Sequence, residues 1–255
     1  MPLDLVTIPC LKDNYAFLVH DATTGATAVV DVPDAAPIFA ALQNRGWTLS
    51  HILITHHHDD HVAGVDALRM ATGASVWGAK ADKHRLPMLD HMVSEGDRIT
   101  VGSSSAFVID VSGHTLGHVA FYFPDDGLAF TGDSLMAAGC GRLFEGSAAT
   151  MWSSLSKLAA LPPATLICSG HEYTASNIRF ALTLEPENPA LIFRSSQVTA
   201  AREDGRPTVP STLSDELATN PFLRANLPEM KMRVAMADAV DASVFGEIRK
   251  RKDKF

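Results

Sequence analysis

Cysteine is scarce in this chain: three among 255 residues, at Cys10, Cys140 and Cys168. An odd, scattered set makes no disulfide framework, and no two cysteines stand at zinc-finger spacing, so a thiolate-held structural zinc is not expected. A reducing, cytoplasmic setting is the expectation that follows. Long apolar runs are missing as well: none approaches the ~18–20 residues that span a bilayer. The opening Met1-Pro2-Leu3-Asp4 has no basic stretch before its first acid, so no secretory leader is expected. Positive charge is in deficit, with 21 Lys and Arg against 29 Asp and Glu. What there is gathers at one end. Residues 249–255 hold five bases and one acid, a net +4, which leaves −12 of the total −8 on the other 248 residues. An acidic body lacks the broad basic face that nucleic acid requires. The basic end itself admits two readings, a solvated and frayed terminus or the wall of a small anion pocket.

What is present is an ordinary globular composition, 46% hydrophobic and 20% charged. The length suits one main domain with a smaller one. Residues 3–8, 15–20 and 27–32 are short apolar, β-branched runs that predict strands. Asp34, Pro37 and Gly46 bracket a helix by a polar cap, an early proline and a terminal glycine. Residues 51–54 predict a strand and 62–71 a helix stopped by Gly73. Further strands are expected at 75–77, 99–101 and 106–111. A hairpin is expected over 118–130 about Asp125-Asp126-Gly127, then a helix over 150–161 and a last strand at 165–168. Beyond about residue 172 the alternation stops. Residues 176–184, 189–203, 211–219 and 238–249 read as helices, so the expected division is 1–171, mixed α and β, and 172–255, helical.

The eleven histidines are unevenly placed. Thr55-His56-His57-His58-Asp59-Asp60-His61 follows directly on the strand at 51–54. In extended backbone, residues two apart point the same way, so His56 and His58 can bind one ion while His57 faces elsewhere. Asp60 and His61 then open the next helix, turned toward a neighbouring position. Three later candidates, His114, Asp133 and His171, each end a strand and each follow a glycine, which permits the unusual backbone angles that aim a side chain. Asp133, with two carboxylate oxygens, is the candidate bridge. His56, His58 and His114 would hold one ion; Asp60, His61 and His171 the other, with room for a shared water. Such donors suit zinc first, with iron or manganese as alternatives. The remaining histidines, at 20, 51, 57, 84, 91 and 118, read as structural or surface groups, His118 being a candidate to support a ligand.

The 55–61 segment resembles the Thr-His-x-His-x-Asp-His signature of the metallo-β-lactamase superfamily, and His114, Asp133 and His171 complete its ligand set. Several stretches resemble the glyoxalase II (hydroxyacylglutathione hydrolase) family in particular. They are Lys12-Asp13-Asn14-Tyr15, Thr131-Gly132-Asp133-Ser134, Gly139-Cys140-Gly141-Arg142-Leu143-Phe144-Glu145-Gly146, Gly170-His171-Glu172-Tyr173-Thr174, Thr208-Val209-Pro210-Ser211-Thr212-Leu213 and the ending Lys252-Asp253-Lys254-Phe255. The resemblance implies an α+β fold, an αββα sandwich followed by a smaller helical substrate domain. It implies that Arg142, Phe144, Tyr173, Arg249 and Lys252 line the glutathione site. Phe144 stands where some members have a tyrosine that reaches glutathione, so that contact is lost or replaced. Asp59 stands where relatives often carry an aromatic residue; it is not a ligand position.

The chemistry implied is cleavage of S-lactoylglutathione or another S-2-hydroxyacylglutathione to a 2-hydroxy acid and glutathione, in methylglyoxal detoxification. Two ions sharing a water bring its pKa from ~15.7 toward neutrality, making hydroxide available, and Asp60 is placed to orient it. A thiol of pKa ~8.5 leaves as thiolate without a strong general acid, and no separate acid motif is seen. No nucleic-acid or membrane partner is expected, and a monomer is. Three alternatives remain open on the motif: a single-iron glutathione-persulfide dioxygenase using His56, His114 and Asp133, a β-lactam or lactone hydrolase independent of Arg249 and Lys252, and a metal-binding scaffold without turnover.

Overall fold

A computed structural model describes residues 3–255; Met1 and Pro2, where the reading of the N-terminus begins, lie outside them. The chain divides into two compact units. One is the chain up to Val111 with Leu116–Gly132; the other is Ser112–Thr115 with Asp133–Phe255.

The first unit holds a six-stranded sheet in the order β1 (Asp4–Cys10), β2 (Asn14–His20), β3 (Thr27–Val30), β4 (Leu49–Leu53), β5 (Ser75–Ala79) and β6 (His91–Val93). The first three strands pair antiparallel and the rest parallel. β2 and β3 are buried at every position, which is why they read as apolar runs rather than as an alternation. Helix α1 (Ala35–Arg45) starts on Asp34, whose side chain accepts from the Ala36 amide, and stops on left-handed Gly46, as the sequence predicts. A second run of antiparallel strands comprises β7 (Arg98–Val101), β8 (Ser104–Asp110), β9 (Val119–Phe123) and β10 (Leu128–Gly132). The two layers meet in an aromatic core, with the Phe17 ring of β2 5.6 Å from that of Phe130 on β10.

The helix expected over 62–71 is interrupted. α2 (Asp59–Val62) and α3 (Val65–Thr72) are separate. Gly64 lies between them, where a Cβ would come within 2.6 Å of the Ala35 nitrogen and 2.8 Å of the Val32 side chain. Close packing on the segment after β3 turns the chain there, and a periodicity count does not register a backbone contact of this kind.

The second unit holds a short hairpin, β11 (Leu135–Met136) with β12 (Gly139–Cys140), which the sequence reading missed. Helix α4 (Ala148–Ala159) follows, then β13 (Leu166–Ser169), paired with β14 (Ser211–Thr212). The strand at 165–168 is therefore not the last. The helix expected from 211 begins at Leu213, because Thr212 is still extended and caps it by accepting from the Asp215 amide. The helices are α5 (Thr174–Leu184), α6 (Pro189–Glu203), α7 (Leu213–Thr219), α8 (Pro228–Arg233) and α9 (Asp241–Lys254). α8, six residues long, is too short for its periodicity to show. The frayed reading of the basic end is corrected: α9 runs through it to Lys254, anchored by buried Val244, Phe245, Ile248 and Arg249. Among the described residues no helix is long and apolar enough to cross a membrane.

Candidate metal centre

In the first unit the donors lie just beyond the carboxyl end of β4, a parallel strand, where open sheets of this kind commonly place their sites. Past β4 the backbone bends at Thr55 and is extended at His58, just before α2. His56 Nε2 and His58 Nδ1 lie 3.1 Å apart, while His57 turns away to Asp82, 3.2 Å from its carboxylate. His56 and His61 are fully buried. His61 Nδ1 donates to Asp31 Oδ2 at 2.8 Å, which places its Nε2 toward Asp60, 4.0 Å from Oδ2. Asp60 is held in turn by Asn14, whose Nδ2 donates to both its carboxylate and its carbonyl at 3.0 Å. His118 is buried and stacks on the His56 ring, centroids 4.5 Å apart.

In the second unit Asp133 Oδ2 lies 3.5 Å from His114 Nε2 and 3.3 Å from His171 Nε2. His114 Nδ1 donates to the Arg142 carbonyl at 2.8 Å. Gly141 permits this approach, since a Cβ there would meet the Asp133 carbonyl at 2.0 Å and His114 Nδ1 at 2.8 Å. The glycines before the donors bear out their reading at two places, Gly132 at φ 49° and Gly113 at φ 153°.

This donor chemistry fits divalent metal ions. Two imidazoles have one nitrogen committed as a donor, His61 to a carboxylate and His114 to a carbonyl. That is the outer support that orients a ligating histidine and leaves its other nitrogen basic. Histidines and carboxylates lie close enough together in the chain to hold an ion, without any thiolate. Cys168, three residues before His171, is fully buried, and desolvation pushes its thiol far above the usual range, so it supplies none.

The residues proposed by resemblance for glutathione all lie in the second unit. Tyr173 stacks flat on His171, with centroids 4.7 Å apart, and Phe144 lies 5.2 Å from His114; both are exposed. Arg142 is exposed. Lys252 is partly buried, donates to the Ser176 carbonyl at 3.2 Å and lies over the Phe180 and Phe255 rings. Burial, and then the neighbouring Arg249, Arg179 and Arg142, lower its pKa to about 8. Arg249 is buried, and its guanidinium is committed within the chain. It donates to the Cys140 carbonyl at 3.0 Å and pairs with Asp253 at 2.8 Å.

Sequence reasoning missed Asp31. It is buried, with φ 57°, and accepts from the Thr55 amide, the Thr55 hydroxyl and His61, each at 2.8 Å. The one local signal was an acid ending an apolar strand. The role of Asn14, holding Asp60, is likewise not legible in its motif.

Strands, helices and donor sets of this kind define the metallo-β-lactamase superfamily, and the family model described as Metallo-beta-lactamase superfamily matches residues 13–171. A second model, Hydroxyacylglutathione hydrolase C-terminus, matches 172–255. The chain belongs to the hydroxyacylglutathione hydrolase family. A relative from Cereibacter sphaeroides bearing that name is 69% identical over 255 residues, covering 100% of both chains. Among solved structures, the BLEG-1 B3 metallo-β-lactamase superposes with TM-score 0.67 at 22% identity, over 86% of this chain and 99% of its own; that likeness concerns the fold. TTHA1623, solved in a di-iron-bound form, is 29% identical with TM-score 0.56, over 66% of this chain and 91% of its own.

Proposed function

We propose that the chain hydrolyses S-lactoylglutathione, or a related S-2-hydroxyacylglutathione, to a 2-hydroxy acid and glutathione, in methylglyoxal detoxification. The observation that carries this is similarity along the whole chain to hydroxyacylglutathione hydrolases, with the family's own C-terminal model covering 172–255. The superfamily motif alone would not distinguish a persulfide dioxygenase or a scaffold. The working division is 1–171 for the catalytic part and 172–255 for the substrate part.

In this reading His56, His58 and His114 would hold one divalent ion and Asp60, His61 and His171 a second, and Asp133 would contribute to both. Zinc is the first choice, iron or manganese the next. When bound, the pair would lower the pKa of a shared water from ~15.7 toward neutrality and polarise the thioester carbonyl. The chain's own residues do the rest. Asp31 and the Arg142 carbonyl keep the metal-facing nitrogens of His61 and His114 unprotonated. Asp60, steadied by Asn14, orients the nucleophile and can take a proton from it. Arg142, Phe144, Tyr173 and Lys252 receive glutathione, a net anion whose thiolate departs without a dedicated acid. Arg249 acts through Cys140 and Asp253 rather than by direct contact. The substrate is a small molecule; a monomer without nucleic-acid or membrane partners is the simplest state. A cytoplasmic setting is supported by three buried, unpaired cysteines.

Metal analysis combined with thiol release from lactoylglutathione tests the reading. Two ions per chain with stoichiometric thiol release would support it. One iron per chain with oxygen uptake and no thiol release would overturn it.

Lys252 has a pH signature. Its ammonium is the form that attracts an anion, and its lowered pKa, about 8, puts the loss of that charge within the working range. KM is expected to be flat below pH 7 and to rise as pH passes 8, while kcat stays nearly constant, because the group meets the non-reacting part of the substrate. Lys252→Arg should keep the charge and shift the rise to higher pH. A wild-type KM that stayed level up to pH 9.5 would remove Lys252 from the binding site.

A further inference from the structure

The hairpin β11–β12 leads from Asp133 toward Arg142, and each residue from 136 to 140 has a backbone group held by a buried side chain from farther along the chain. Asn220 Nδ2 donates to the Met136 carbonyl at 3.2 Å and to the Gly139 carbonyl at 2.9 Å. Asn177 Nδ2 donates to the Ala137 carbonyl at 3.0 Å. The Ala138 amide donates to Glu216 Oε2 at 2.7 Å, and Arg249 donates to the Cys140 carbonyl at 3.0 Å. Ala138 is left-handed, φ 55°, an unfavourable conformation for a residue with a Cβ. Glu216 and Asn220 are fully buried.

Glu216 is the hub of this arrangement. Besides Ala138 it accepts from Asn220 Nδ2 at 2.9 Å, from the Ser211 hydroxyl at 2.7 Å and from the Arg194 guanidinium. A buried carboxylate with four donors is well satisfied, and a half-satisfied version would be costly. Core stability alone could be served by apolar residues of similar volume. What apolar residues could not do is grip five successive backbone groups of a loop.

The loop has two outputs. Just past Cys140, Gly141 packs on the Asp133 carbonyl and on the His114 ring. Arg142 then supplies the carbonyl that accepts the His114 Nδ1 hydrogen bond and carries a guanidinium of the basic group near Lys252.

We propose that Glu216, Asn220 and Asn177 are positioning residues: through hairpin 135–140 they set the Arg142 carbonyl against His114 and place the Arg142 side chain for substrate. The kinetic part rests on the thioester-hydrolase reading; the metal-affinity part does not.

The test compares Glu216→Gln and Asn177→Ala, which weaken the grip on the hairpin, with Ser211→Ala, which removes a donor to Glu216 without touching the hairpin. Metal-free protein is titrated with zinc, KM and kcat for lactoylglutathione are measured at saturating zinc, and Tm is recorded. Loss of an outer support to a ligating histidine weakens metal binding by ~10–100-fold; acting one contact further away, the two hairpin variants are expected near ~10-fold. KM should rise ~5–10-fold, with kcat within about twofold of wild type. Ser211→Ala should lower Tm alone. If both hairpin variants behaved like Ser211→Ala, with wild-type zinc affinity and KM, the proposal would be overturned. Should Glu216→Gln fail to fold, Asn177→Ala decides by the same criteria. If the wild-type chain released no thiol, the functional reading would fail while the zinc titrations still decided the role of the hairpin.

Discussion

Asp133→Ala is expected to strip most of the bound metal and to lower kcat/KM for lactoylglutathione by on the order of 10³-fold, the size that several kcal/mol of lost transition-state stabilisation implies. The argument is geometric. One carboxylate oxygen of Asp133 stands 3.5 Å from His114 Nε2 and 3.3 Å from His171 Nε2, and these two histidines are assigned to different ions. On that assignment, removing the carboxylate would take a negative donor from both ions, leaving one with three imidazoles and the other with two imidazoles and Asp60, poorer sets for divalent ions. Elemental analysis of the purified variant, set beside its thiol-release rate, is the measurement. A variant that kept two ions per chain and near-normal turnover would show that Asp133 is not shared between them.

The second large effect is expected at a residue that meets no substrate. Asp31→Ala leaves the Thr55 amide, the Thr55 hydroxyl and His61 Nδ1 without the acceptor each now has at 2.8 Å. Buried donors left unsatisfied cost about 1–3 kcal/mol each, and Ala tolerates φ 57° worse than Asp does. A stability loss of about 3 kcal/mol or more is expected in chemical denaturation. Asp31→Asn separates folding from function. Asn suits the left-handed backbone and still offers one oxygen. Its amide nitrogen, however, would donate to His61 Nδ1 and so put the ring proton on Nε2, the nitrogen needed for metal. Metal affinity is expected to fall ~10–100-fold with only a minor change in stability. Titration of the metal-free variant reads the first and denaturation the second; unchanged affinity in Asp31→Asn would mean that His61 does not bind through Nε2.

Much of this was legible in the chain. Asp34, Gly46 and Gly73 mark helix ends by local backbone chemistry, and the alternation of β8 follows from one buried face. His56 and His58 share a side and His57 does not, as residues two apart in a non-helical segment would. The break at Gly64, the hairpin at 135–140 and the short α8 escaped. The first is set by a close approach to Ala35, and the other two are too brief to carry a period. The basic end misled in composition: Val244, Phe245 and Ile248 lock its helix in place, and Arg249 is buried with them.

By itself the sequence determined which atoms are available: imidazoles and carboxylates in place of thiolates, in an order and spacing shared with one family, on strand ends that local periodicity predicts. The tertiary structure alone decided how those atoms are presented. Which nitrogen of His61 and His114 faces inward depends on Asp31 and on the Arg142 carbonyl, 30 and 28 residues away. Whether Arg249 meets substrate or backbone depends on Cys140, 109 residues away. Separations of that length leave no periodic trace in the chain, because packing brings the partners together and local backbone preference does not.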